Sequence, residues 1–292
     1  FPHQIAGPIV RYKEVSEQIE NRSKNINPVQ VYEGLIRFII GLAKKVLLAN
    51  VLGEQANLIF ELPAAEQTFT TTWVGIIAYS FQIYFDFSGY SDMAIGLGKM
   101  LGFTFPENFN FPYSSKSITE FWKRWHMTLG NWMKDYLYIP LGGNRGHRGS
   151  RTYLNLMLVF FLSGLWHGAS WTFVVWGIFH GMFLVIERLG LNTVLKKVHP
   201  TLAIFYTCVV VATGWVLFRS ENFSSALAFI SNMYSLPIID TDYLQNLNTK
   251  FHIIVLIAVY FSFKSDWLQQ KLTLFYTQAS AKSSVNILVM TG

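Results

Sequence analysis

Between Arg151 and Glu187 the chain holds no lysine, arginine, aspartate or glutamate. A membrane-spanning helix needs about 20 mainly apolar residues in succession, and a stretch this long without a charge fits lipid better than water. Composition agrees. The chain is 51% hydrophobic and 16% aromatic but only 14% charged, against about 25% charged in ordinary soluble domains. It reads as an all-α, polytopic transmembrane protein. Inside the uncharged run lies Gly164-Leu165-Trp166-His167-Gly168-Ala169-Ser170-Trp171. An ionisable side chain at membrane depth is costly and by default marks function. Gly164 and Gly168 form a GxxxG pair around His167, and the pattern returns as Gly177-Ile178-Phe179-His180-Gly181. Small residues at this spacing let helix backbones approach closely, so two tight helix crossings are expected.

The segment from Thr152 to about Trp166 is roughly 22 Å long at about 1.5 Å per residue, short of the ~30 Å hydrocarbon core. The break at Gly168, with Ser170 placed to N-cap the next helix, therefore falls at membrane depth or near its edge. Irregular backbone survives there only when buried in protein or lining a wet cavity. His167 sits at this helix end, where the helix dipole favours an imidazolium.

Further apolar segments are expected to be helical spans at 31–52, 69–87, 171–186, 202–218 and 252–263. In the first, Arg37, Lys44 and Lys45 cluster on one side at about 100° per residue. Such a helix either lies in the interface with a basic face or crosses with that face turned into protein. The following loop, with Glu54, Glu61 and Glu66 and no lysine or arginine, favours crossing. Asp86 and Asp92 read as helix-end or packing groups. Gly96-Leu97-Gly98-Lys99-Met100-Leu101-Gly102 misses the dinucleotide spacing and follows no strand, so it reads as helix packing. The loop 219–250 is expected on the side opposite the basic segment. Phe1-Pro2-His3 lacks an initiator Met and a signal peptide, and both ends read as cuts through a longer protein.

The most basic connection, 103–151, carries Lys116, Lys123, Arg124, Lys134, Arg145, Arg148 and Arg151 against Glu107, Glu120 and Asp135. It is placed in the cytoplasm or at the interface by the positive-inside rule. The net charge of +6 thus signals a lipid surface rather than nucleic acid. Within this segment Trp122, Trp125, Leu129, Trp132 and Tyr136 make one stripe, which predicts a single interfacial helix from Thr119 to Tyr138. His126 borders the stripe near Trp122 and Met133. The one cysteine, Cys208, is expected to be an inert buried thiol. No ligand spacing supports a metal. For His180, mid-helix, a structural role is favoured; for His167, at a glycine-flanked break, a general base or proton relay.

Four separated stretches carry a family resemblance: Tyr84-Phe85-Asp86-Phe87-Ser88-Gly89-Tyr90-Ser91-Asp92, Phe121-Trp122-Lys123-Arg124-Trp125-His126-Met127-Thr128-Leu129, Tyr136-Leu137-Tyr138-Ile139-Pro140-Leu141-Gly142-Gly143-Asn144-Arg145, and Ser163-Gly164-Leu165-Trp166-His167-Gly168. In this order they resemble the membrane-bound O-acyltransferase (MBOAT) family, in its bacterial alginate O-acetyltransferase branch. The resemblance implies one multi-helix domain over 1–292 with a central tunnel, lacking N-terminal spans that family members carry. It implies transfer of an acyl group to a hydroxyl in the bacterial inner membrane. The family's active histidine falls on His167 and its second active-site position on His126.

Combined with the residues, this gives a concrete expectation. His167 takes the proton of a glycan hydroxyl, and His126 orients or polarises the donor. Lys123, Arg124, Lys134 and Arg145 offer charge to the phosphates of acetyl-CoA or another acyl thioester. No tightly bound cofactor is expected. The expected partners are the lipid bilayer, a glycan or other acyl acceptor such as alginate, and a periplasmic acetyltransferase. D-alanyl transfer to a cell-wall polymer stays open. So does a proton-coupled transporter, which has no need of a tryptophan-rich basic helix, and so does a scaffold role for the periplasmic enzyme.

Overall fold

The structure, a computed structural model, describes residues 7–25, 27–144 and 150–263. It is all helical, with no strand among the described residues. A first helix, α1 (Tyr12–Asn25), covers the charged opening segment. A long rod follows: α2 (Pro28–Ala43), a π-helical turn (Lys44–Ala49) and α3 (Asn50–Phe60). Against it lies α4 (Phe69–Met100), opened by a capping box between Thr68 and Thr71. The two approach closely because glycine meets glycine. A Cβ at Gly41 would sit 2.5 Å from the Gly89 carbonyl oxygen, and one at Gly96 would sit 2.5 Å from that of Gly34.

The basic side of the rod faces α4. Arg37 donates through Nε to Asp92 at 2.8 Å and pairs with Glu107 at 2.6 Å. Lys44 reaches Asp92 at 2.6 Å, and Lys45 reaches Asp86 at 2.6 Å. The basic face thus looks into protein, and the two aspartates are packing groups. They do not end a helix, because α4 runs on through both to Met100; their paired charges remove the reason for it to stop there. Gly96 and Gly98 lie within α4.

The single helix expected over Thr119–Tyr138 is broken. α5 spans Ile118–Arg124 and α6 spans Met127–Met133, continued by a π turn at Lys134–Tyr138. His126 between them adopts the left-handed conformation, φ 44°, ψ 52°. Tertiary hydrogen bonds override helix propensity here: Asn110 N donates to Arg124 O and Met127 N donates to Asn108 O, both at 2.9 Å. The stripe splits accordingly. Trp125 and Leu129 are buried, whereas Trp132 and Tyr136 are exposed.

α7 (Ser150–His167) and α8 (Trp171–Ile186) form the hairpin around the His167 break. Ser170 caps α8 by accepting from Thr172 N. The two GxxxG pairs serve one crossing rather than two. A Cβ at Gly164 would lie 2.4 Å from Phe173 O on α8, and one at Gly177 would lie 2.2 Å from Phe160 O on α7. After a π turn (Glu187–Leu191) come α9 (Asn192–Leu195), α10 (Pro200–Arg219), α11 (Phe223–Met233), α12 (Thr241–Asn246) and α13 (Thr249–Ser262). The stretch 219–250, expected as a loop, therefore holds two helices; Phe229 and Met233 of α11 are buried in the core. Among the described residues, two helical stretches are long and apolar enough to cross a membrane, Trp171–Leu195 (α8 through α9) and Pro200–Arg219 (α10). The main core joins α3, α4, α5, α8 and α10 around Phe85, Phe121, Trp176 and Trp215.

Candidate acyl-transfer site

A cavity of about 540 Å³ opens between α4, the α5–α6 break, α7, α8 and α10. Volumes of this order hold small-molecule ligands. His126 and His167, distant in sequence, both line it, together with Lys123 and Lys134, and no carboxylate does so among the described residues. The rest of the wall is mostly apolar, with many aromatic rings, including Trp122, Trp176, Trp215 and Phe218.

His167 is the last residue of α7. Its ring lies edge-on to Trp166 at 5.0 Å, Trp176 at 5.1 Å and Phe218 at 5.2 Å. No hydrogen bond from a described residue ties its ring nitrogens, yet neither is sealed away. An imidazole in such surroundings is free to exchange a proton with whatever occupies the cavity.

His126 is held differently. It is buried, and Nδ1 lies 3.0 Å from Asn108 Oδ1. Its ring packs edge-on against Phe87 at 4.7 Å. Burial, and secondarily the nearby His167, pushes its pKa down to about 3, so the ring stays neutral at physiological pH.

The α5 helix that leads into this corner is pinned by Glu187. This buried carboxylate accepts from Ile118 N at 2.5 Å, Thr119 N at 2.9 Å and Thr119 Oγ1 at 2.6 Å. Tyr206 OH adds a fourth contact at 3.3 Å. A carboxylate on the first amide groups of a helix is favoured by the helix dipole as well as by the hydrogen bonds.

The other expected anion-binding residues divide. Lys123 and Lys134 are exposed side chains that reach the cavity. Arg124 does not line it; its guanidinium is engaged by Glu120 at 2.8 Å and by the Asn110 carbonyl at 3.2 Å. Arg145 lies outside the described residues. His180 is fully buried, outside the cavity wall, with both ring nitrogens sealed and unpaired. It fills the space left by Gly214, where a Cβ would come within 2.4 Å of Nε2. Cys208 is free and half-buried, with Sγ 3.7 Å from the Tyr113 carbonyl.

Asn108 and Glu187 escaped the sequence reading. Nothing in the spacing of Glu107-Asn108-Phe109-Asn110 points at His126. For Glu187 there was a faint signal: it is the first charge after the apolar run.

Comparison with known proteins bears on the same region. The model of the membrane-bound O-acyltransferase family matches residues 1–218, which include every described wall of the cavity. The chain belongs to the membrane-bound O-acyltransferase family. Among its relatives is a probable alginate O-acetylase of Pseudomonas aeruginosa, 50% identical over 236 residues, covering 80% of this chain and 44% of that protein. A peptidoglycan O-acetyltransferase of Helicobacter pylori is 43% identical over 241 residues, covering 81% and 45%. A teichoic acid D-alanyltransferase of Streptococcus thermophilus is 31% identical over 197 residues, covering 64% and 48%. The chain spans about half the length of these relatives. Membership makes this a membrane-bound, helical acyltransferase-family chain, in keeping with the apolar helical stretches among the described residues.

Proposed function

We propose that this chain carries the acyl-transfer site of an O-acetyltransferase acting on a bacterial cell-surface glycan. The observation that carries the reading is the joint opening of His126 and His167 into one aromatic cavity with lysines on its wall. The relatives named for O-acetylation of alginate and of peptidoglycan support the substrate class.

In this reading the acetyl group arrives as a thioester, on coenzyme A or a carrier. Lys123 and Lys134 attract its phosphates, with no carboxylate on the described wall to oppose them. His167 takes the proton of the glycan hydroxyl as its oxygen attacks the thioester carbonyl. The new C–O bond forms, the C–S bond breaks, and the imidazolium returns its proton to the departing thiolate. General-base help of this kind is worth about 10²–10⁴-fold. The protein works as a multi-pass component of the bacterial inner membrane, handing acetyl groups to the glycan directly or through a periplasmic acetyltransferase.

The test is transfer of labelled acetyl from acetyl-CoA to alginate or another surface glycan, in membrane vesicles carrying the full-length protein. His167→Ala should lower ester formation by about 10²–10⁴-fold while the protein stays in the membrane. Unchanged ester content in that variant rejects the reading. Labelled D-alanine, rather than acetyl, on the polymer would move the chain to the teichoic acid branch.

A further inference from the structure

The two ring nitrogens of His126 have different surroundings, and the difference fixes its tautomer. Nδ1 faces Asn108 Oδ1 at 3.0 Å. The orientation of the Asn108 amide is set by neighbours that admit only one assignment. Thr128 N, a donor alone, lies 3.3 Å from the same oxygen, and Thr128 Oγ1 donates to it at 2.9 Å. That hydroxyl in turn accepts from Ile9 N at 2.9 Å. At the other end, Asn108 Nδ2 donates to Ser91 Oγ at 3.1 Å. Turning the amide over would set its NH₂ against the Thr128 N–H. An amide oxygen has no proton to give, so Nδ1 of His126 carries one. A neutral imidazole holds a single ring proton, which leaves a lone pair on Nε2. No described residue donates to Nε2, and, unlike both nitrogens of His180, it is not sealed from the cavity. Asn108, Ser91 and Thr128 are all buried, so water does not compete for the network.

We propose that Asn108 is a positioning residue: it holds His126 in the Nδ1–H form, so that Nε2 meets the cavity as a hydrogen-bond acceptor for a hydroxyl of the glycan. The proposal rests on the acyl-transfer reading of this cavity. The reacting atoms of the thioester, its carbonyl oxygen and its sulfur, only accept hydrogen bonds, and a neutral Nε2 has no proton to offer them. The glycan hydroxyls are the donors. A sugar ring carries hydroxyls side by side. One gives its proton to His167 while its neighbour donates to Nε2 of His126, which fixes the orientation of the ring. His126 then acts on the acceptor, where the sequence alone suggested polarisation of the donor.

Two measurements on the full-length protein test this. Long-range ¹H–¹⁵N correlation on ¹⁵N-histidine-labelled protein in micelles reads the tautomer, with the His126 signals identified by their loss in His126→Gln. The expected result is Nδ1–H in the wild type and a shift toward Nε2–H in Asn108→Ala. In vesicles, Asn108→Ala should raise KM for the glycan about tenfold, the scale of one lost hydrogen bond, and leave KM for acetyl-CoA within about twofold. Asn108→Asp keeps the accepting oxygen and should restore both the tautomer and the glycan KM, and it serves if the alanine variant does not accumulate. An Nε2–H tautomer in the wild type overturns the proposal whatever the activity. A KM change confined to acetyl-CoA overturns the acceptor-side role. If the wild type acetylates no glycan, the acyl-transfer reading fails and the acceptor-side role with it, while the tautomer measurement still decides what Asn108 does.

Discussion

Two imidazoles face one cavity, and their settings are opposites. His126 sits at a left-handed break between two short helices, locked by a buried amide that is itself held by Ser91 and Thr128. His167 sits at the end of a long helix among Trp166, Trp176 and Phe218, with no described hydrogen bond on its ring. A locked imidazole holds a fixed partner well, because nothing has to be reorganised when that partner arrives. An untied one can take a proton, carry it and release it without breaking a bond to the protein. The pair therefore reads as one group that orients and one that transfers. His180 supplies the contrast: the same side chain, fully buried and sealed from the cavity, has no route to a substrate.

The distinction breaks first on activity. His167→Ala should lower acetyl transfer by about 10²–10⁴-fold, the scale of a lost general base. His126→Ala should lower it about tenfold, the scale of one lost hydrogen bond. Rates of label transfer in vesicles decide, and equal losses would erase the division of labour.

Next in size is the anchor of the His126 corner. Glu187→Ala strands the buried Ile118 amide and the Thr119 donors, each worth about 1–3 kcal/mol when left unpaired. The thermal midpoint should fall clearly, and Glu187→Gln should recover part of the loss. A midpoint unchanged in Glu187→Ala would mean that α5 is held by packing alone.

A smaller effect lies in pH. The ordinary histidine pKa of 6.5 applies to the unfolded chain, and burial, with His167 nearby, lowers it to about 3 in the fold. As pH falls below 6.5 the unfolded state takes the proton first. The stability tied to a neutral His126 is complete above that value and drains away toward pH 3, by at most about 1.4 kcal/mol per pH unit. Thermal midpoints at pH 7 and pH 5 should therefore drop further in the wild type than in His126→Gln. Parallel declines would show that His126 does not stay neutral.

The smallest expected change is at His180. Replacing an unpaired buried imidazole by an apolar ring removes an unmet polar demand but sets a larger ring against Gly214, so His180→Phe should leave transfer within a few-fold with the two stability effects opposed. A large loss of transfer would place His180 in the proton path.

Much of this was legible in the chain. The charge-free run from 152 to 186 and its glycine pairs marked the α7–α8 hairpin and the break at His167, because apolar length and small-residue spacing act locally. That the basic side of the α2 rod packs against protein was readable as one of two alternatives, and the Arg37–Asp92 and Lys44–Asp92 pairs show that it faces α4. The break at His126 was invisible. Trp122, Trp125 and Leu129 keep helical spacing through it, and the bonds that stop the helix come from Asn108 and Asn110, which lie earlier in the chain. For the same reason Asn108 could not be found and Glu187 was marked only by being the first charge after the apolar run: each acts on residues remote in sequence. Arg124 looked like an anion ligand because it is basic and lies near His126, yet Glu120 sits one helical turn away and takes its charge.

To act as the base, His167 must open onto space that substrates reach. Ser163, one turn before it on α7, lines the same cavity. In full-length protein with no other cysteine, Ser163→Cys should react with a small, water-soluble methanethiosulfonate, and acetyl-CoA should slow that reaction. A thiol at this position that stays unreactive in membranes, while an exposed control such as Trp132→Cys is labelled, would contradict the account.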